Sequence, residues 1–186
     1  MQVLKLKPWR DGHDETVDSV SGVEAELSSE QPGMVRIRFR VRGAIDALRI
    51  PGALATERRD GLWQHTCFEV FVMQGDGSYC EFNFSPSTQW AAYRFDGYRR
   101  AMSELPVRST PCIETVIASD MLFLEASVGL QPLVTTDNAP RCRVAIAAVI
   151  ENLEGRLDYW ALAHPAQKPD FHHEDGFITV LPDNGG

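Results

Sequence analysis

Residues 34–43 read MVRIRFRVRG, and hydrophobic and charged side chains alternate through them without a break. Val35, Ile37, Phe39 and Val41 fall on one side, and Arg36, Arg38, Arg40 and Arg42 on the other. A β-strand turns successive side chains to opposite faces, whereas a helix would scatter both sets around its circumference. The segment is therefore a strand with one face in a core and its arginine row on a solvated outer face.

The same reading extends down the chain. Strand patterns recur at LWQHTCFEVFVM, YCEFNFSPS, WAAYRFDGYR, IETVIA, LFLEASVGL, CRVAIAAVIE, LDYWALA and FITVLP. Gly, Pro, Asn and Asp punctuate them, and no long 3.6-residue stripe intervenes. Residues 44–61 and 130–140 read as loops from their prolines and polar clusters. Short strands at regular spacing predict an all-β antiparallel β-sandwich. With 186 residues, no internal repeat and no linker, the chain is expected to form one domain, residues 1–186.

A net charge of -8 lacks the cationic surplus that nucleic acid or an anionic membrane needs, so neither is expected as a partner. The N-terminus carries no apolar stretch of signal-peptide type, no run could span a bilayer, and the expected compartment is the cytoplasm. Cys67, Cys80, Cys112 and Cys142 share no close Cys-x-x-Cys spacing, which points to reduced thiols. The pattern leaves the oligomeric state open.

The segment FEVFVMQGDGSYCEFNF is a hairpin around Gly75-Asp76-Gly77. Opposite residues of an antiparallel pair point to one face, so loop parity decides which rows meet. Only an odd loop, of three or five residues, puts Phe68, Val70 and Val72 beside Cys80, Phe82 and Phe84. The other face then gathers His65, Cys67, Glu69 and Phe71 with Tyr79, Glu81, Asn83 and Ser85. The third strand offers Trp90 and Arg94 on one face, and Tyr93 and Phe95 on the other. Flat aromatic surface beside carboxylate and amide groups suits a sugar: rings pack on its C–H face and polar groups take its hydroxyls. Trp63, Trp90 and Trp160 are candidate stacking platforms, with His65, Glu69, Glu81, Asn83 and Arg94 as polar partners.

A second unusual stretch closes the chain, YWALAHPAQKPDFHHEDGF. His164, Asp170 and His172 join the candidate ligand-binding set, and the cluster's first expected task is to tie down a long loop. Its spacing matches no tight metal motif, so no metal site is assigned, although calcium or another metal stays open as a cofactor.

Together LWQHTCFEVFV, YCEFNFSPSTQWAAYRF and YWALAHPAQKPDFHHEDGF resemble the DOMON-like proteins, a superfamily that includes the family 9 carbohydrate-binding modules and haem-binding cytochrome domains. The resemblance covers roughly residues 35–180. It implies an immunoglobulin-like or jelly-roll sandwich whose ligand sits in a cleft formed by one sheet and its loops. Glu69 stands where such proteins often place an acidic residue, while Gln64-His65-Thr66-Cys67 replaces the Asp that often precedes it in carbohydrate-binding members.

The first expectation is therefore a non-catalytic carbohydrate-binding sandwich. A haem-binding electron-transfer domain is the alternative, with Met73, Met102, His65 and His164 as possible axial donors. A glycoside hydrolase is the third reading, with Glu69 and Glu81 as its carboxylate pair. Directly opposite residues would suit the ~5 Å separation of retaining chemistry. No catalytic residue is assigned.

Overall fold

The computed structural model describes residues 3–10, 19–31, 33–130 and 142–182. Its strands are β1 (Val3–Pro8), β2 (Val20–Gln31), β3 (Met34–Gly43), β4 (Cys67–Met73), β5 (Tyr79–Phe84), β6 (Trp90–Phe95), β7 (Ser103–Glu104), β8 (Cys112–Ile117), β9 (Met121–Gly129), β10 (Arg143–Glu151), β11 (Leu157–Ala161) and β12 (Thr179–Val180). Helical structure among the described residues is confined to 3₁₀ turns at Ile45–Ala47, Leu62–Gln64 and Glu174–Gly176.

All the pairings between these strands are antiparallel. One sheet runs β1-β2-β3-β9-β8, and the other runs β7-β6-β5-β4-β10-β11 with β12 also on β10. Strand β1 joins them: Val3 to Leu6 pair with β2, while Lys7 and Pro8 pair with β11. The result is the expected β-sandwich.

The two inner faces build the main core. Val35, Ile37, Phe39 and Val41 of β3 meet Phe68, Val70 and Val72 of β4 and Phe82 and Phe84 of β5. Phe39 and Phe68 touch across the layers, with ring centroids 4.8 Å apart. Truncating either buried ring to alanine is expected to cost about 3–5 kcal/mol.

The arginine row faces outward as expected, and it is laced with acid. Arg38 and Arg40 lie near Glu24 and Glu26 of β2, and Arg36 and Arg38 near Glu125 of β9. Cross-strand pairing of opposite charge turns like-charge repulsion along β3 into a lattice.

Two expectations need correction, and a third lies largely outside the described residues. Residues 62–66 are not strand: Gly61, at φ 77°, opens the Leu62–Gln64 turn, and β4 begins only at Cys67. His65 therefore leaves the row shared by Cys67 and Glu69. Strands β1 and β2 were not anticipated; β2 carries two register irregularities that blur its alternation. The loop expected at 130–140 falls, beyond Leu130, outside the described residues.

Candidate functional site

The hairpin loop has the predicted parity. Gln74 N–H bonds Ser78 O at 2.8 Å, closing Gly75-Asp76-Gly77 as a three-residue turn. Phe68 then faces Phe84, Val70 faces Phe82 and Val72 faces Cys80, all toward the core. Glu69 faces Asn83, Phe71 faces Glu81 and Met73 faces Tyr79 on the opposite, outer side.

That outer side is covered rather than wet. Every residue of β4 and β5 is buried. Leu62, Phe71, Tyr79, Tyr93, Phe95 and Phe177 form a second apolar layer, with Phe171 packed against it. The Leu62–Gln64 turn and the segment around Pro169–Phe177 lie over this face. Between these covers and the sheet opens a cleft of about 600 Å³. Its lining combines Trp63, Tyr93, Phe95, Tyr159 and Phe171 with Glu69, Glu81, Arg99 and His172.

The polar floor is a chain of contacts. Arg99 N–H donates to the Tyr79 hydroxyl at 3.1 Å. The Tyr79 proton then finds an acceptor in His172 Nδ1, 2.9 Å away. This assigns the imidazole proton to Nε2, which faces Glu81 Oε2 at 3.8 Å. Asn83 donates its amide to Glu81 Oε1 at 2.8 Å. Glu69 Oε1 and Asn83 Oδ1 are buried without a partner. Buried polar atoms are normally bonded, so these two oxygens leave hydrogen-bonding capacity unused at the floor of the cleft.

Burial sets the charges. It pushes Glu81 up to about 7, against the pull of the Asn83 bond and of Arg99. It pushes Glu69 well above the usual carboxylate range, with the Glu81 charge adding to the effect. It drives His172 down to about 4, so the imidazole is neutral at pH 7.

Asp170 anchors the wall. It accepts from Tyr98 Oη at 2.6 Å, Arg99 Nη2 at 2.9 Å and His172 N at 3.2 Å. Burial opposes its ionisation, but these bonds hold its carboxyl below the ordinary value. Arg99 itself has φ 49°, a strained conformation that lets its backbone N–H reach Tyr79 while its guanidinium reaches Asp170.

The structure sorts the candidate residues. Trp63, Glu69, Glu81 and His172 line the cleft, Asn83 lies beneath it and Asp170 braces its rim. Trp90 and Trp160 are core residues of the inner face. The Ser85–Gln89 turn also closes three residues, which puts Trp90 opposite Phe84 and sends Tyr93 and Phe95 to the cleft. Arg94, opposite Cys80, sits on the core side of its strand and escapes to solvent beside Asp96. On β11, Trp160 points inward, and it is Tyr159 that reaches the cleft.

His65 and His164 are displaced from the site. His65 Nδ1 lies 2.7 Å from Glu151 Oε2 and borders a separate depression of about 690 Å³, which shares only Trp63 and Gln64 with the cleft. His164 Nε2 donates to Lys7 O at 2.8 Å, and its ring stands 6.5 Å from that of Phe171. It supports the lining from behind. Register reasoning missed Tyr159, Phe171 and Arg99.

The glycosidase geometry also changes. Glu69 is opposite Asn83, and Glu81 is opposite Phe71, so the carboxylates are diagonal neighbours on one wall. They are therefore not the directly opposite pair that the register reasoning expected. The possible haem donors do not converge. Met102 lines the cleft, His65 lines the other depression, Met73 packs on Arg143 and His164 binds Lys7. Among the described residues, no three His, Cys, Asp or Glu side chains gather as a metal set.

Neither protein-family models nor curated proteins match this sequence. Solved structures do resemble it. A candidate carbohydrate-binding protein from Bacteroides uniformis ATCC 8492 superposes with a TM-score of 0.69 at 14% identity, covering 97% of this chain and 84% of that one. A family 9 carbohydrate-binding module from Caldicellulosiruptor kristjanssonii, in complex with cellotriose, gives a TM-score of 0.58 at 11% identity, covering 98% and 84%. At such identities the likeness establishes the shared β-sandwich fold.

Proposed function

We propose that this chain is a non-catalytic saccharide-binding β-sandwich whose ligand lies in the cleft on the outer face of the second sheet. One observation carries the reading. Aromatic rings and buried carboxylate and amide oxygens without partners line or floor the same cleft. A pyranose has both complements, an apolar C–H face for Trp63 or Tyr159 and hydroxyl donors for Glu69 and Asn83.

The structural neighbours support this reading, because one of them is a carbohydrate-binding module in complex with cellotriose. The sequence resemblance to DOMON-like proteins belongs to the same reading and adds no ligand of its own. Isothermal calorimetry against a panel of neutral and charged oligosaccharides tests the reading. Saturable binding that weakens in Trp63→Ala and Glu69→Gln supports the assignment. Absence of binding across the panel overturns it.

A further inference from the structure

The charges around the cleft are unequally satisfied. Arg99 is the lining cation, and its guanidinium is already committed to Asp170 at 2.9 Å. His172 is bonded through Nδ1 to Tyr79 and is neutral. Glu81 receives one neutral amide donor, from Asn83, and Glu69 Oε1 receives none. Among the described residues, no Lys or Arg stands within ion-pair distance of either carboxylate. Glu69 is only 3% exposed and Glu81 5%.

Two carboxyls buried this deeply are costly to ionise without a partner. Sugar hydroxyls would bond these carboxyls in their protonated form, without drawing either of them to ionise. A ligand ammonium supplies both the hydrogen bonds and the opposite charge. The walls suit it too, since Trp63, Tyr93, Phe95 and Tyr159 offer ring faces and edges around the same volume.

We infer that the ligand of this cleft is an amino sugar, its protonated amine seated between Glu69 and Glu81 against the aromatic lining. This rests on the saccharide reading above and narrows its ligand class. Arg99 acts on both carboxyls, but its ion pair with Asp170 offsets its repulsion of the amine. Asn83 Oδ1, also orphaned, provides a further acceptor on the same floor.

The test compares β-1,4-linked trimers of one backbone by calorimetry at pH 7: cellotriose, the N-acetylglucosamine trimer and the glucosamine trimer. Wild-type protein is expected to bind the glucosamine trimer at least about tenfold more tightly than the other two. Glu69→Gln and Glu81→Gln, close in shape to the native residues, are expected to erase that preference. Trp63→Ala is expected to weaken whichever trimers bind by a similar factor. Equal or tighter binding of the neutral trimers overturns the amine assignment and leaves the saccharide reading standing. A preference that survives in both Gln variants also overturns it, tracing the effect to the overall negative charge. Failure of all three trimers to bind overturns the amine assignment, and the wider oligosaccharide panel then decides the saccharide reading.

Discussion

Glu69 stands directly opposite Asn83 across the β4–β5 pair, and one side-chain oxygen of each is buried with no partner. Neighbouring orphans of this kind are uncommon in a folded interior. They face the cleft from its floor, where hydrogen-bond donors from a ligand would complete them.

Glu69→Gln is expected to weaken saccharide binding by a factor of about 2 to 10, since a neutral hydrogen bond contributes about 0.5–1.5 kcal/mol. The fold should survive, because a neutral amide suits the buried site at least as well. Calorimetry for affinity and thermal melting for stability separate the two effects.

Glu81 links stability to pH. It titrates at about 7 in the fold, against 4.5 ordinarily. Between those values the folded state holds a proton that the unfolded chain has released, so stability falls as pH rises through about 7. His172 works in the other direction, losing stability as pH falls from 6.5 toward about 4. The Glu81→Gln variant isolates the first effect. Its stability relative to wild type should rise from pH 4.5 through about 7 and then level off, as read by denaturant melts. A difference that does not vary with pH contradicts the assignment.

The tryptophans should divide by position. Trp63, 39% exposed at the cleft, is expected to affect binding with little change in melting temperature when changed to Ala. Trp90 and Trp160 are buried in the inner core, and truncating either should cost about 3–5 kcal/mol. Parallel melts and binding isotherms on the three variants check this.

Asp170 holds the covering loops together through Arg99 and Tyr98. Asp170→Asn is expected to cost about 2 kcal/mol, since it weakens charge-assisted bonds at a buried oxygen. Hydrogen exchange should quicken at residues 97–102 and 170–173, while β4 and β5 stay protected.

Much of this arrangement was legible in the chain. Alternation along β3 and the odd parity of the Gly75-Asp76-Gly77 turn placed Phe68, Val70 and Val72 inward and Glu69, Glu81 and Asn83 outward. The same parity rule applied to Ser85–Gln89 selects Tyr93 and Phe95 over Trp90 and Arg94. That turn hides its type, because Thr88 rather than a glycine adopts the left-handed conformation at φ 72°. Arg99 and Phe171 reach the site from loops, whose paths follow from tertiary packing and not from periodicity. The continuous burial of β4 gave no sign, in residues alone, that two carboxyls lay under a cover.

The indole N–H resonance of Trp63 tests the central claim most directly. In ¹⁵N-labelled protein titrated with the three trimers, that signal should move saturably while those of Trp90 and Trp160 stay still. A Trp63 signal that does not respond, or shifts confined to the arginine face of β3, would contradict the account.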